Sequence, residues 1–179
     1  MSRIFGPARQ VAMVVRDIDC AMAIMIEKMG VGPFFVMRDL QPEDYRYRGN
    51  TAPSPVLSLA FAFTGQINIE LIQQHNDAPS AYRDFLELRG EGAQHLSSWT
   101  AEAHEYDAIR ENSLASGRII AHEGRIGQSR FAYFDTTDPI FGMCFEVAEG
   151  LSPDLAPIVA HMCDAANGWD GSDPVRPFA

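Results

Sequence analysis

The sequence predicts an α+β fold in which two βαβββ modules form one curled mixed sheet around a concavity. The first reason is that one order of elements, a strand, a helix and three strands, occurs twice along the chain. The second is that Gln10 and His95 fall at matching places in the two modules, as do Glu70 and Glu146. The third is length, because 179 residues, 46% of them hydrophobic, suffice for one well-buried domain.

The first module is predicted to span about residues 8–74. β-Branched and apolar residues favour a strand over 10–15, and Asp17 is a typical helix N-cap. Apolar residues then recur at helical spacing until Gly30, a typical helix stop. After these come predicted strands over 33–37, 56–64 and 67–72, with the polar stretch 41–50 between the first two.

The second module is predicted to span about residues 93–148. A short strand over 95–99 precedes a helix over 102–116, and Gly117 ends this helix as Gly30 ends the first. The three remaining strands are predicted over 118–122, 129–134 and 142–147.

Two further segments complete the predicted organisation. Residues 80–89 are predicted to form a helix or helical turn between the modules. Residues 1–150 are predicted to make a single domain that contains both modules. Residues 151–179 follow as a C-terminal helix, over about 154–166, and an irregular tail.

The net charge of the chain limits the classes of partner that it is expected to bind. There are 24 acidic and 14 basic residues, a net charge of −10, which would repel a phosphate backbone or an anionic membrane. We therefore expect a small-molecule partner and neither nucleic acid nor membrane.

The three cysteines form no C-x-x-C pair, which favours reduced thiols over disulfides or a zinc knuckle. Because residues 1–9 lack the apolar segment of a signal peptide, we expect a cytoplasmic protein.

Two glutamates carry the strongest chemical signal. Glu70 and Glu146 each stand mid-strand between large apolar neighbours, so each side chain points away from those neighbours. A solvent-facing position would explain one such residue. Two at matching positions favour a shared concavity, where carboxylates are costly unless they are paired or bind a metal.

His95 and Gln10, near the starts of the matching first strands, would complete a metal site. One imidazole, two carboxylates and one amide oxygen suit a six-coordinate divalent ion with two positions left for water or substrate. Zinc, cobalt, nickel, manganese and iron(II) all accept such ligands. A structural zinc would instead be four-coordinate and is usually rich in thiolates.

These segments resemble the vicinal-oxygen-chelate (glyoxalase/bleomycin resistance/dioxygenase) superfamily, and within it glyoxalase I and methylmalonyl-CoA epimerase. The strand and helix over 10–30, the Ile69-Glu-Leu-Ile72 strand followed by Gln94-His95-Leu96, and the closing segment Phe141-Gly-Met-Cys-Phe-Glu146 carry the resemblance. It covers roughly residues 8–148. Gln10 is similar to the glutamine of eukaryotic-type glyoxalase I, where epimerases usually have histidine.

The resemblance implies a metal-dependent lyase, isomerase or epimerase that abstracts a proton next to a metal-bound carbonyl, through an enediolate. Glu146 is then the first choice for the catalytic base and Glu70 the second. A thioester or a hemithioacetal is the implied substrate, and an intermediate of a ring or side-chain degradation route is left open. Members commonly dimerise, so we expect a homodimer.

Four residues are candidate substrate contacts. Gln74 and Arg89 roughly match places where glyoxalase I holds glutathione. Arg130 could bind a carboxylate or phosphate, and Trp99 shares the strand face of His95 and could form a pocket wall.

Two other functions stay open on the same fold. A metal-free small-molecule binding protein is one, because fold does not imply function. A ring-cleaving dioxygenase is the other, although it would need two histidines and one glutamate around iron. A hydrolase or nucleotide enzyme finds no support, since the sequence has no G-x-S-x-G, P-loop or dinucleotide fingerprint.

Overall fold

The computed structural model describes residues 2–135 and 142–178. The first half of the chain contains, in order, β1 (Ala8–Val14), α1 (Ile18–Ile24) continued by a π-helical turn (Met25–Met29), β2 (Phe34–Leu40), β3 (Glu43–Tyr47), β4 (Asn50–Thr51), β5 (Leu57–Thr64) and β6 (Ile67–Gln74). The second half contains α2 (Ala81–Arg89), β7 (Gly92–Trp99), α3 (Ala103–Ala115), β8 (Ile119–Ile126), β9 (Ser129–Asp135), β10 (Cys144–Ala148), α4 (Ala156–Ala166) and β11 (Val175–Pro177).

The predicted α+β class and the two βαβββ orders are confirmed. The first module has the order β1, α1, β2, β5 and β6, with β3 and β4 inserted between β2 and β5, and the second has the order β7, α3, β8, β9 and β10. Phe141, the first residue of the closing segment that carried the family resemblance, lies outside the described residues.

Two segments differ from the prediction. The polar stretch 41–50 contains β3 and the start of β4, and the tail predicted as irregular contains β11. β4 and β11 are the two edge strands of the sheet, and β3 is next to β4. Strands this close to an edge bury few side chains, so they lack the apolar runs by which the other strands were recognised.

All eleven strands of the described residues form one mixed sheet, in the order β11-β2-β5-β6-β1-β7-β10-β9-β8-β3-β4. β1 and β7 pair antiparallel at its centre, while β1 pairs parallel with β6 and β7 parallel with β10. The two modules are therefore related by an approximate two-fold axis between β1 and β7.

The sheet curls but does not close into a barrel. Only Gln41 and Pro42 separate β2, near one end of the strand order, from β3, near the other end. Because consecutive Cα atoms are about 3.8 Å apart, the two ends of the sheet must approach each other. This curvature gives the sheet a concave inner face.

Local signals set the helix bounds as the sequence predicts. The Asp17 side chain accepts a hydrogen bond of 2.9 Å from the amide of Cys20 at the start of α1. Gly30 ends that helical segment with a φ of 66°, in the left-handed region that favours glycine. Glu102 and Glu105 form a reciprocal capping box at the start of α3.

The helices cover both faces of the sheet. α1 and α3 pack on the outer face, where Ile18 contacts the cluster that includes Leu71, and Tyr106 contacts the one that includes Val147. α2 and α4 lie on the inner face, α2 through Tyr82 and α4 through Met162. Since strand residues alternate between faces, Glu70 and Glu146 point inward. No helix of the described residues is long and apolar enough to span a membrane.

Candidate metal centre

The strand register brings the four predicted metal ligands to the inner face of the four central strands. Gln10 of β1 pairs with Ser97 of β7, and His95 of β7 pairs with Ala12 of β1, so Gln10 and His95 are two-fold equivalents. Glu70 pairs with Ala12 and Glu146 pairs with Ser97, which makes the glutamates equivalent as well. Each module thus contributes one carboxylate and one polar residue of its first strand.

His95 stands between the two glutamates. Its Nε2 atom lies 3.5 Å from Glu70 Oε2 and 3.5 Å from Glu146 Oε2, and the ring is fully buried. Nδ1 donates a hydrogen bond of 2.7 Å to Gln94 Oε1. This bond fixes the tautomer that leaves the Nε2 lone pair facing the carboxylates, which is the arrangement of a metal-ligating histidine.

Gln10 is held in a similar way. Its Nε2 donates to Asn68 Oδ1 at 2.9 Å, and Asn68 Nδ2 donates to the Ala62 carbonyl at 3.2 Å. The amide orientation of Gln10 is therefore set by its neighbour. Its carbonyl oxygen is left available as a ligand.

The two carboxylates are buried and lack strong partners. Each glutamate is only 6% exposed, and within the described ranges no side chain or amide donates a hydrogen bond to either carboxylate. Burial, and then the charge of Glu146, raises the pKa of Glu70 well above its ordinary value. Two like charges in a weakly hydrated place are costly, and a cation between them would offset that cost.

The donor set fits a divalent ion. Ligand atoms about 2.0–2.2 Å from one ion stand roughly 3–3.5 Å from one another, and the two distances from His95 Nε2 agree with this. In the described part of the chain, no three or more His, Cys, Asp or Glu side chains are already closed around one metal position. Small inward movements of the carboxylates would complete such a position.

Two tyrosines lie next to His95 on the inner face of the sheet. Tyr133 Oη is 3.5 Å from His95 Nε2, and Tyr82 Oη donates a hydrogen bond of 3.0 Å to Tyr133 Oη. Because Tyr82 supplies that proton, the proton of Tyr133 is free to point toward the ligand cluster. Burial raises the pKa of both phenols well above the usual value, so both are neutral.

A further histidine lies behind the tyrosines. His122 Nδ1 is 3.0 Å from Tyr45 Oη, which itself donates to the Pro79 carbonyl at 2.9 Å. Burial lowers the pKa of His122 to about 3, so its ring is neutral and packs edge-on against Tyr82 and Tyr133. This end of the concavity is closed.

The other end opens into a cavity of about 390 Å³. Gln10, Asn68, Glu70 and Glu146 form its polar floor. Its walls are apolar and come from the inner faces of the strands and from α4 and the tail. The volume lies within the range of small-molecule sites, about 300–1,000 Å³.

The predicted substrate contacts fall in different places. Trp99 lines the cavity. Gln74 instead holds the turn before α2, donating to the Asn76 and Ala78 carbonyls. Arg130 pairs with Glu149 and Asp107, and Arg89 lies in the last turn of α2 beside Gly142. The structure does not bring these last three to the cavity wall.

Sequence reasoning missed Asn68, Gln94 and Tyr133. Asn68 is two residues before Glu70 on the same strand face. The alternation of side chains along a strand could therefore have placed it on the inner face with Glu70. Tyr133 pairs with Glu146 as Phe61 pairs with Glu70, and aligning the two modules would have found it. Gln94 bonds to its own neighbour on the chain, and no periodicity indicates such a contact.

Comparisons with known proteins agree on the architecture. A family model described as the glyoxalase/bleomycin resistance protein/dioxygenase superfamily matches residues 9–134. No curated protein matches the chain.

Among solved structures, methylmalonyl-CoA epimerase from Mycobacterium tuberculosis is similar at 18% identity and a TM-score of 0.55, with 88% of this chain and 95% of that one covered. A variant of the Streptomyces coelicolor methylmalonyl-CoA epimerase in complex with 2-nitronate-propionyl-CoA gives 17% identity and a TM-score of 0.52, with coverage of 79% and 94%. A hypothetical protein from Bacillus halodurans C-125 is similar at 16% identity and a TM-score of 0.51, with 79% of this chain and 92% of that one covered. At these identities the structures indicate a shared fold.

Proposed function

Because this chain belongs to the glyoxalase/bleomycin resistance protein/dioxygenase superfamily, also called the vicinal-oxygen-chelate superfamily, we propose that it is a divalent-metal-dependent lyase, isomerase or epimerase of the glyoxalase type. The reaction we propose removes a proton from the carbon next to a carbonyl group. One observation carries the proposal: His95 Nε2 lies 3.5 Å from both Glu70 and Glu146, whose carboxylates line the floor of a cavity. The structural neighbours named methylmalonyl-CoA epimerase support this class of reaction.

The residues have separate proposed roles. A divalent cation held by Gln10, Glu70, His95 and Glu146 would withdraw electrons from the carbonyl group and make the neighbouring C–H more acidic. Glu146 takes the proton, with Glu70 as the second choice. His95 and Gln10 stay fixed, because Gln94 and Asn68 hold their side chains.

Metal content tests the first step of this proposal. Purified without a metal-binding tag, the wild type should contain about one equivalent of a divalent metal per chain by elemental mass spectrometry. His95→Ala, Glu70→Ala and Glu146→Ala should lose it, and Gln10→Ala should hold it more weakly. Glu87→Ala, which changes an exposed carboxylate on α2, is the matched control and should keep the full content.

The same experiment separates the two main functions. A metal-free small-molecule binding protein is the second candidate, and the apolar cavity is the observation that favours it. Wild-type protein that holds no metal, even after reloading, would exclude the metal enzyme and favour this candidate. A dioxygenase is less supported, because Gln10 occupies the slot where such an enzyme needs a second histidine. A cytoplasmic homodimer stays a prediction from the sequence.

Tyr133→Phe should slow proton abstraction by about tenfold while leaving metal content unchanged, since one hydrogen bond near the reacting centre is worth about 1–1.5 kcal/mol. Phe61 occupies the equivalent register position, so the sheet accommodates phenylalanine there. The rate of α-proton exchange and the thermal midpoint would be measured together. A lower midpoint with an unchanged exchange rate would assign Tyr133 a structural role only.

A further inference from the structure

We propose that this site takes an uncharged, mainly apolar carbonyl compound that fits within its cavity of about 390 Å³, and not a substrate carried on coenzyme A or glutathione. The carbonyl part of this inference rests on the proposed function. The apolar and uncharged part rests on the cavity alone.

The walls of the cavity match an apolar ligand. Phe61, Phe131, Trp99 and Val159 are representative of the aromatic and aliphatic side chains that face it, and polar side chains are confined to the floor and the rim. Burying apolar ligand surface there is favourable because it removes that surface from water. The polar floor would orient only the end of the ligand that carries its oxygens.

Apart from the proposed metal ion, no cation among the described lining residues would hold an anion. None of the described residues that line the cavity is an arginine or a lysine. The arginines that flank it along β8 and β9 are bound elsewhere: Arg125 to Glu43 and Asp44, and Arg130 to Asp107 and Glu149. Phosphates and carboxylates are usually recognised by such cations, so the phosphates of coenzyme A or the carboxylates of glutathione would lack partners.

The rim adds negative charge, and the walls add a desolvation cost. Asp154 stands at the rim, while at the floor the proposed metal ion would offset the charges of Glu70 and Glu146. An anionic group on the part of the substrate that faces the walls and the rim would be repelled by Asp154 and would lose hydration against apolar side chains. The cavity therefore selects against charge on the part of the ligand that does not face the metal.

The C-terminal segment forms part of the cavity wall. Val159 and Met162 of α4 form one wall, and Phe178 of the tail packs 5.6 Å from the ring of Phe61. β11 fixes this tail by pairing with β2. α4 and the tail thus cover part of the inner face and add apolar surface to the cavity wall.

Ligand binding can be followed through Trp99. The chain has two tryptophans, and Trp169, which packs against Gly32 and does not line the cavity, would be changed to Phe. Three probes would be titrated: α-hydroxyacetophenone, its ring-carboxylated analogue, and propionyl-CoA. We expect α-hydroxyacetophenone to change Trp99 fluorescence at a concentration at least tenfold lower than either charged probe.

A matched pair of variants on α4 tests whether the ligand binds in this cavity. Val159 faces the cavity and Ala160, its neighbour, is exposed. Val159→Phe should weaken α-hydroxyacetophenone binding at least tenfold, and Ala160→Phe should leave it unchanged. Leu155→Phe, at another lining position, replaces Val159→Phe if that variant does not fold, as judged by its thermal midpoint.

The outcomes separate this inference from the proposed function. Propionyl-CoA binding as tightly as α-hydroxyacetophenone, or a folded Val159→Phe that binds like wild type, would overturn the substrate class while the metal content still supports the enzyme. Preferential binding of the neutral probe by a protein without metal would uphold the substrate class and exclude the metal enzyme.

Discussion

Glu146→Gln should reduce the exchange of a substrate α-proton with solvent deuterium by about 10²–10⁴-fold, the usual contribution of a general base. Glutamine keeps the shape and one coordinating oxygen of the side chain but cannot take a proton at neutral pH. Exchange would be followed by proton NMR in deuterium oxide with α-hydroxyacetophenone and with propionyl-CoA. Metal content should stay close to that of the wild type.

The structure gives a reason to place Glu146 before Glu70 as the base. Glu146 pairs across the sheet with Tyr133, whereas Glu70 pairs with Phe61. The glutamates are two-fold equivalent, so this hydroxyl is one difference between their surroundings. A neutral phenol beside a base can donate a hydrogen bond to the developing charge on the substrate.

Glu70→Gln is the matched control for this experiment. It should lose less exchange than Glu146→Gln, because it removes a ligand charge but not the proposed base. A larger loss of α-proton exchange in Glu70→Gln would make Glu70 the base and Glu146 the second ligand. Wild-type α-proton exchange in Glu146→Gln would remove Glu146 from the mechanism.

Removing the metal should reverse the effect of Glu70→Gln on stability. In the metal-loaded protein the substitution weakens a ligand and lowers the thermal midpoint. In the chelated protein it replaces a buried carboxyl group whose ionisation is opposed first by burial and then by the charge of Glu146. We expect the chelated variant to gain about 1–3 kcal/mol over the chelated wild type.

Thermal unfolding with and without chelator measures this reversal. For a chain of this size, 1 kcal/mol corresponds to a shift of about 2–4 °C in the midpoint. Glu87→Gln, at an exposed site, should give the same small change in both conditions. A midpoint that falls in both conditions for Glu70→Gln would mean that the two carboxylates do not repel each other in the metal-free protein.

Repetition made the fold and the clustering of the four candidate ligands readable from the sequence. Glu70 and Glu146 were recognisable because each interrupts an apolar strand at the same place in its module, and the strand register puts both beside His95. Helix bounds followed from local signals such as Asp17 and Gly30, whose geometry depends on few neighbours.

Features outside the repeat could not be read in the same way. β3 and β11 are held by backbone pairing with strands distant in sequence, β8 and β2, which leaves no periodic apolar pattern. The cavity wall on α4 depends on where the tail docks. Arg130 could be named as a candidate anion ligand, but its partners Glu149 and Asp107 become visible only once β9, β10 and α3 are packed together.

The antiparallel seam between β1 and β7 has a consequence for how the site comes into being. Gln10 and Glu70 lie on one side of this seam and His95 and Glu146 on the other, so neither module holds all four proposed ligands by itself. During synthesis the last donor emerges only with β10, and the site can assemble only after the second module has docked on the first. A bound cation would then tie the two halves together, and its release would report the opening of the whole domain.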